Sequence, residues 1–271
     1  MNRRSSHVRA EPHSDARPVT PYFEGSGVTL YLGDMREILP ALGITVDLIV
    51  ADPPYGETNL PWDRWPDGWL QVAAGITSSL WCFGSMRMFL AHVAEFQDAG
   101  WRLSQDVIWE KTNGTGFATD RFKRVHEHVT HWYRGAWRDT YHDTPRTPYT
   151  GPNKHNRARL HKGPNTGHYG AIGNYFYVDD GTRLARSVQK APSVRRGLHP
   201  TEKPVGILVP LITYACPPNG TVLDPFAGSG STLEAARLAG RQAIGIEIDE
   251  RYAERAAQRL AQVPLDLGEA S

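Results

Sequence analysis

The chain is poor in cysteine, has no long apolar run and carries almost no net charge. Its two cysteines, Cys82 and Cys216, both sit inside apolar segments, which excludes a disulfide framework. No apolar stretch approaches the length of a membrane span, and the N-terminus MNRRSSHVRAEPHSD lacks the apolar region of a secretory signal. A cytoplasmic protein without a membrane partner is expected. What remains is ordinary for a globular chain: 271 residues, 40% hydrophobic and 22% charged, enough for one large α/β domain or a domain with an insertion.

The net charge of +1 hides an asymmetry. Between Arg121 and Lys203, sixteen Lys and Arg stand against six Asp and Glu, a net of +10 that leaves −9 for the rest. Eight of the 11 histidines fall in the same stretch. A basic block beside an acidic remainder points to a polyanionic partner; a solvated basic face is the alternative.

Residues 1–20 are polar and without periodicity and read as a disordered tail, and 264–271 read as a C-terminal tail. VTLYL and VDLIVA have the apolar character of strands, the second of the kind buried in a parallel sheet. DMREILPAL reads as a short helix. Asp67 is placed to cap a helix running through Ser78, followed by the strand LWCF. MRMFLAHVAEFQDAG has helical spacing and a glycine stop. RLSQDVIWEK and EHVTHWY read as strands. From 135 to 196 the periodicity fades into Pro, Gly, Asn, Tyr, His and Arg, and an inserted recognition region, partly ordered only on binding, is expected there. Regular structure returns at HPTEKP with a helix that Pro210 should kink. TVLD, STLEAARLAG, QAIGIEI and DERYAERAAQRLAQV then alternate strand and helix. The reading is therefore two halves of one domain, 21–134 and 197–263, split by the insert, with a mostly parallel sheet covered on both faces.

Two short stretches carry chemistry. In VLDPFAGSGSTLEAARLAG a strand meets a glycine-rich turn and then a helix, a design that lets backbone approach a ligand at a helix N-terminus. It lacks the lysine that a phosphate-binding P-loop needs after its last glycine. It also lacks the third glycine of a dinucleotide fingerprint, since Leu233 stands there. The turn instead fits the S-adenosylmethionine (SAM) site of Rossmann-like methyltransferases. Glu247, about 17 residues beyond Gly230, can accept both ribose hydroxyls at the end of the next strand. In ADPPYG, two prolines end an apolar strand and stiffen the loop, holding an acid and an aromatic ring at the strand's C-terminal edge, where open α/β sheets bind ligands.

Taken in order, LYLGDMREIL, VDLIVADPPYG, SLWCFGS, VIWEKTNGTG, HPTEKP, LDPFAGSGST and AIGIEIDERY resemble an amino-group DNA methyltransferase of the permuted type, in which DPPY precedes the SAM turn. The resemblance runs from about Val28 to Leu260. It implies a Rossmann-like α/β fold in circularly permuted order, with SAM as cofactor. Its catalytic residues would be Asp52, Pro53, Pro54 and Tyr55. Asp34 would approach the SAM adenine, and Asp224, Pro225, Phe226, Gly228 and Gly230 would cradle methionine and ribose, with Ser229 and Ser231 as hydrogen-bonding groups. His199, Thr201 and Lys203 would lie at the methionine end. Glu202 stands where many relatives have Gln.

That resemblance gives ADPPYG a physical meaning. An exocyclic base amine is a weak nucleophile because its lone pair is delocalised into the ring. The Asp52 carboxylate and Pro53 carbonyl can accept its N–H bonds, favouring a tetrahedral nitrogen and the cation that forms as methyl arrives. Tyr55 offers a face for a base flipped from the duplex. Asp in the first position leans toward adenine-N6 among relatives, with cytosine-N4 as the alternative. A DNA-binding protein that keeps the fold without catalysis is the reading from another class. A cytosine-C5 enzyme is excluded, since Cys216 is far from DPPY. His126, His128 and His131 do not make a metal site, because alternation puts His131 on the opposite face; exposed or DNA-facing histidines are expected.

The partner expected is double-stranded DNA, met by Trp62, Arg121, Lys123, Arg124, Lys154, Arg157, Arg159, Lys162, Arg195 and Arg196. A homodimer and a companion restriction endonuclease are further partners that the resemblance allows. Replacing Lys154, Arg157, Arg159 and Lys162 by neutral residues should weaken DNA binding and flatten the slope of affinity against salt. Affinity measured at two salt concentrations checks this; an unchanged slope removes the segment from the interface.

Overall fold

A computed structural model describes residues 19–112, 119–149, 180–192 and 202–262, with the backbone alone of four short strands between 159 and 177. In chain order the elements are β1 (Phe23–Gly25), β2 (Val28–Leu32), α1 (Met35–Leu42), β3 (Leu48–Ala51), α2 (Trp69–Ile76), β4 (Ser79–Gly84), α3 (Met86–Asp98), β5 (Arg102–Lys111) and β6 (His126–Tyr133). There follow β7 (Arg146–Pro148), β8 (Arg159–His161), β9 (Asn165–Thr166), β10 (Gly170–Ala171), β11 (Tyr175–Tyr177), β12 (Thr182–Leu184) and β13 (Val188–Ala191). The chain then forms α4 (Val205–Ala215), β14 (Thr221–Asp224), α5 (Ser231–Leu238), β15 (Gln242–Glu247) and α6 (Glu250–Ala261).

Nine strands make one sheet in the order β1-β2-β15-β14-β3-β4-β6-β5-β13. Within it β1 and β6 oppose the direction of the rest. This is the mostly parallel, doubly wound sheet that alternating strand and helix signals predict. Period-two alternation splits each strand between two cores. Leu48 and Val50 face α4 and α5 through Leu208, Ile212 and Leu233, whereas Ile49 and Ala51 face α1, α2 and α3 through Leu39, Trp69 and Met88. All four residues of β3 are buried, which explains its unbroken apolar run.

Several local expectations shift. Asp67 does not cap α2; Gly68, at φ 79°, begins that helix one residue later, and the Asp67 carbonyl accepts from the Arg36 guanidinium instead. α4 holds Pro210 in its interior, as expected, and the Thr213 hydroxyl donates to the Val209 carbonyl. The end of the expected insert joins the main sheet: β13 lies parallel to β5, and the carbonyl of buried Ala191 accepts from the indole of Trp109 at 2.9 Å. Between these, β7–β12, β8–β11 and β9–β10 are three nested antiparallel pairs. Tyr175 pairs with His161 and Gly170 with Thr166, each in its own two-stranded sheet. The low periodicity of the segment reflects strands too short to show one.

Glu202, unusual in its motif, has a structural partner. Arg259 on α6 donates to Glu202 at 2.7 Å and to Glu234 on α5 at 2.5 Å, tying the segment before α4 to two helices. His126 and His128 share a face, with rings 5.3 Å apart. His131 is neither exposed nor DNA-facing: it is fully buried, with Nε2 3.1 Å from the Ser79 hydroxyl and rings of Trp81 and Tyr214 around it. Among the described residues no group of His, Cys, Asp or Glu could hold a metal.

Burial, and then the charge of His142, press the His131 pKa down to about 4. In the unfolded chain the ring takes a proton near pH 6.5, whereas the folded chain resists it, so stability present above that pH drains away between about 6.5 and 4. The group alone accounts for roughly 3 kcal/mol over that window. Melting temperature against pH should fall more steeply for the native chain than for His131→Gln, whose amide can still meet Ser79. Parallel curves would rule this out.

Candidate active site

β14 and β3 are neighbours, but from β14 the chain passes to β15 and from β3 to β4, on opposite sides. Where an open sheet reverses in this way, a crevice forms beyond the C-terminal strand ends. Here it is a cavity of about 570 Å³, within the range of small-molecule sites. Asp52 follows β3, Asp224 ends β14, Glu247 ends β15 and Asp34 follows β2, so four acids converge on it from four strands.

The loop after β3 is held by a residue to which no sequence motif drew attention. Buried Asp63 accepts the backbone N–H of Gly56, Glu57 and Thr58 at 2.8, 3.0 and 2.7 Å. Burial pushes its pKa up, but hydrogen bonds from Thr58 and these amides outweigh that and hold the carboxyl below the usual range. Trp65 anchors the loop's far end: it stacks on His92 at 4.0 Å and donates to Glu95 at 2.9 Å. Trp62, half exposed, remains on the cavity rim.

Asp52 sits in a line of alternating charges. The Tyr55 hydroxyl donates to its Oδ1 at 2.8 Å, and the Lys203 ammonium donates to Oδ2 at 2.5 Å. Lys203 is 7% exposed and lies 3.5 Å from Glu127, whose other oxygen pairs with Lys111. Burial alone lowers the Lys203 pKa, but Asp52 and Glu127 more than offset it, so the ammonium keeps its proton. Burial raises the Glu127 pKa, yet Lys203 and Lys111 outweigh it and keep the carboxylate charged. The Tyr55 hydroxyl is pushed well above its usual range by burial and by the Asp52 charge, so it donates and does not ionise. Lys203 was expected beside a cofactor's methionine end; the structure pairs it with Asp52.

The glycine turn follows β14. Asp224 is buried, accepts the Phe226 N–H at 3.0 Å, and is raised by burial to a pKa of about 7. Gly228 and Gly230 adopt φ 51° and 78°, conformations L side chains rarely hold, and a Cβ on Gly230 would meet that of Ala256 at 3.1 Å. Phe226 packs edge-on against Trp69, 5.4 Å between ring centres, and Pro225 lines the same wall. Ser229 and Ser231 are buried, 3.3 Å apart, and Ser231 also accepts from Arg259. Glu247 accepts from Gly228 N at 2.7 Å and Asp249 N at 2.8 Å. A carboxylate has about four acceptor sites, so Glu247 keeps room to accept from a diol. Ile248, 70% exposed, adds an apolar shelf; it lies inside AIGIEIDERY but was not among the expected site residues.

The expected site residues divide three ways. Asp52 to Tyr55, Asp34, Lys203, Glu247 and the glycine turn gather in one crevice. Asp34 also caps α1 and is gripped by the Arg36 guanidinium, which pulls its pKa below the usual range. Arg121, paired with Asp120, and Lys123 and Arg124 are exposed on the β5–β6 loop. His199, Thr201, Lys154, Arg157, Lys162, Arg195 and Arg196 lie outside the described residues, and only the backbone of Arg159 is described, in β8.

A doubly wound sheet, an acid–proline–proline–tyrosine loop and a glycine turn around one cavity define a methyltransferase of the amino-group class. The chain belongs to the DNA methylase family N6_N4_Mtase, whose model matches residues 46–259. It is 27% identical to Type II methyltransferase M.ScaI of Streptomyces caespitosus, over 89% of this chain and 83% of that one. Its fold is similar to that of the crystallised M1.HpyAVI–SAM complex, with a TM-score of 0.60 at 22% identity over 86% of this chain and 99% of that one. The cytosine-N4-specific PvuII DNA methyltransferase also scores 0.60, at 15% identity over 90% of each chain.

Beneath the glycine turn the packing admits no added atom: a Cβ on Gly245 would lie 2.5 Å from Leu233 Cδ1 and 3.2 Å from Ala227 Cβ. Gly245→Ala should therefore cost about 1–3 kcal/mol of stability through overpacking, read as a lower denaturant midpoint. An unchanged midpoint would mean that Leu233 yields freely.

Proposed function

We propose that this chain is a SAM-dependent adenine-N6 methyltransferase acting on a base flipped out of double-stranded DNA. The observation that carries the reading is the convergence of Asp52 and Tyr55 with Glu247 and the glycine turn on one cavity. The residues fit the cofactor. Glu247 offers two acceptor oxygens for a ribose diol, Ile248 an apolar face for an aromatic ring, and Gly228 and Gly230 let backbone close on the ligand. Bound there, SAM supplies an electrophilic methyl group on a sulfonium.

The chain's own part is to prepare the acceptor nitrogen. Asp52 and the Pro53 carbonyl take its two N–H bonds, and the Tyr55 ring stacks on the base. Pro53 and Pro54 keep these acceptors from rearranging. Asp52 then accepts the proton that the nitrogen must lose once it carries the methyl. No covalent enzyme intermediate is needed. The nested strands between 146 and 184, with the exposed cations of the β5–β6 loop, serve as the DNA-reading surface. A companion endonuclease and a dimer fit this role.

Asp at position 52 favours adenine, by analogy with relatives. A fold equally similar to a cytosine-N4-specific enzyme keeps cytosine-N4 as the second reading. Incubation with labelled SAM and unmethylated genomic DNA, followed by digestion to nucleosides, separates them by the mass of the labelled base. SAM binding without any labelled nucleoside would leave a non-catalytic DNA-binding protein. Asp52→Ala should lower the transfer rate at least 10²-fold and leave SAM affinity within a few-fold. Loss of SAM binding in that variant would show that residue 52 serves the cofactor.

A further inference from the structure

The mechanism above gives Lys203 and Glu127 no task, although Lys203 touches the acid on which it turns. We infer that Lys203 is the positioning residue of Asp52, and that Glu127 in turn positions Lys203. This rests on the methyltransferase reading.

The argument starts from lone pairs. A carboxylate has about four acceptor sites, two per oxygen. The Tyr55 hydroxyl takes one on Oδ1 and the Lys203 ammonium one on Oδ2, leaving one on each oxygen. A partly buried carboxylate without these partners would turn about its last torsion, hydrate, or swing toward any cation entering the crevice. A SAM sulfonium is such a cation. Holding Oδ2 on a fixed ammonium keeps the acceptor aimed where a base amine arrives, and avoids reorganisation at the moment of reaction.

Lys203 can do this only because it is itself held. Its stem is buried, its ammonium faces the Phe83 ring at 5.2 Å, and Glu127 stands 3.5 Å away as a second anion. Glu127 is at the start of β6 and is anchored by Lys111 on β5. The position of the catalytic acid is thereby referred to the antiparallel side of the sheet. A lone buried lysine beside Asp52 would collapse onto it as a closed pair; the second carboxylate shares the charge.

The test is steady-state and single-turnover kinetics on the full chain with SAM and substrate DNA. Lys203→Met should lower kcat about 30- to 100-fold, with KM for DNA and Kd for SAM within threefold, and Lys203→Arg should recover most of the loss. Glu127→Gln should lower kcat three- to tenfold, and should add little in the Lys203→Met background, because it acts through Lys203. If Lys203→Met folds poorly, Lys203→Met/Glu127→Gln removes one charge of each sign and is held to the same limits. A kcat within threefold of native overturns the inference, as does a loss confined to SAM affinity, which would make Lys203 a cofactor ligand. Additive effects of the two substitutions would detach Glu127 from it. Native enzyme without methyl transfer would instead defeat the functional reading itself.

Discussion

The site depends on the pairing of β14 with β3, two strands about 170 residues apart in the chain. Val222 pairs with Leu48 and Leu223 with Ile49, and Asp47 closes the end of the ladder by accepting the Thr221 N–H at 2.7 Å. This ladder is short and wholly buried, so a slip of one residue would turn Leu48 and Val50 toward the wrong core. With the register kept, Asp52 and Asp224 emerge side by side at the point where the chain diverges. Everything the crevice does presupposes that juxtaposition.

Around it the electrostatics are uneven. Asp52 and Glu127 flank the buried Lys203 ammonium, Asp224 and Glu247 line the same cavity, and burial raises both Asp224 and Glu247 above their usual values. An acidic interior suits a cationic methyl donor.

Rigid support is concentrated where the chemistry is placed. Asp63 gathers three amides of the loop after β3, Trp65 pins the loop to α3, and Arg259 clamps Glu202 and Glu234 behind the glycine turn. Each is a side chain whose partners lie several residues or a whole element away. None carries a local pattern. This is why ADPPYG, with its strand and paired prolines, was readable, while Asp63, only a few residues further along NLPWDRWP, was not.

The linear chain alone determined what local rules can encode: the buried strand before Asp52, the positive-φ glycines after Asp224, the acid ending the next strand, and the alternation that makes a doubly wound sheet. Period and turn chemistry act over a few residues, so they show in the order of residues. Only the tertiary structure decided that Lys203 meets Asp52, that Glu127 stands behind it, that His131 is buried, and that residues 188–191 complete the main sheet. Those are pairings across long stretches of chain, specified by packing and register, and no short-range pattern records them.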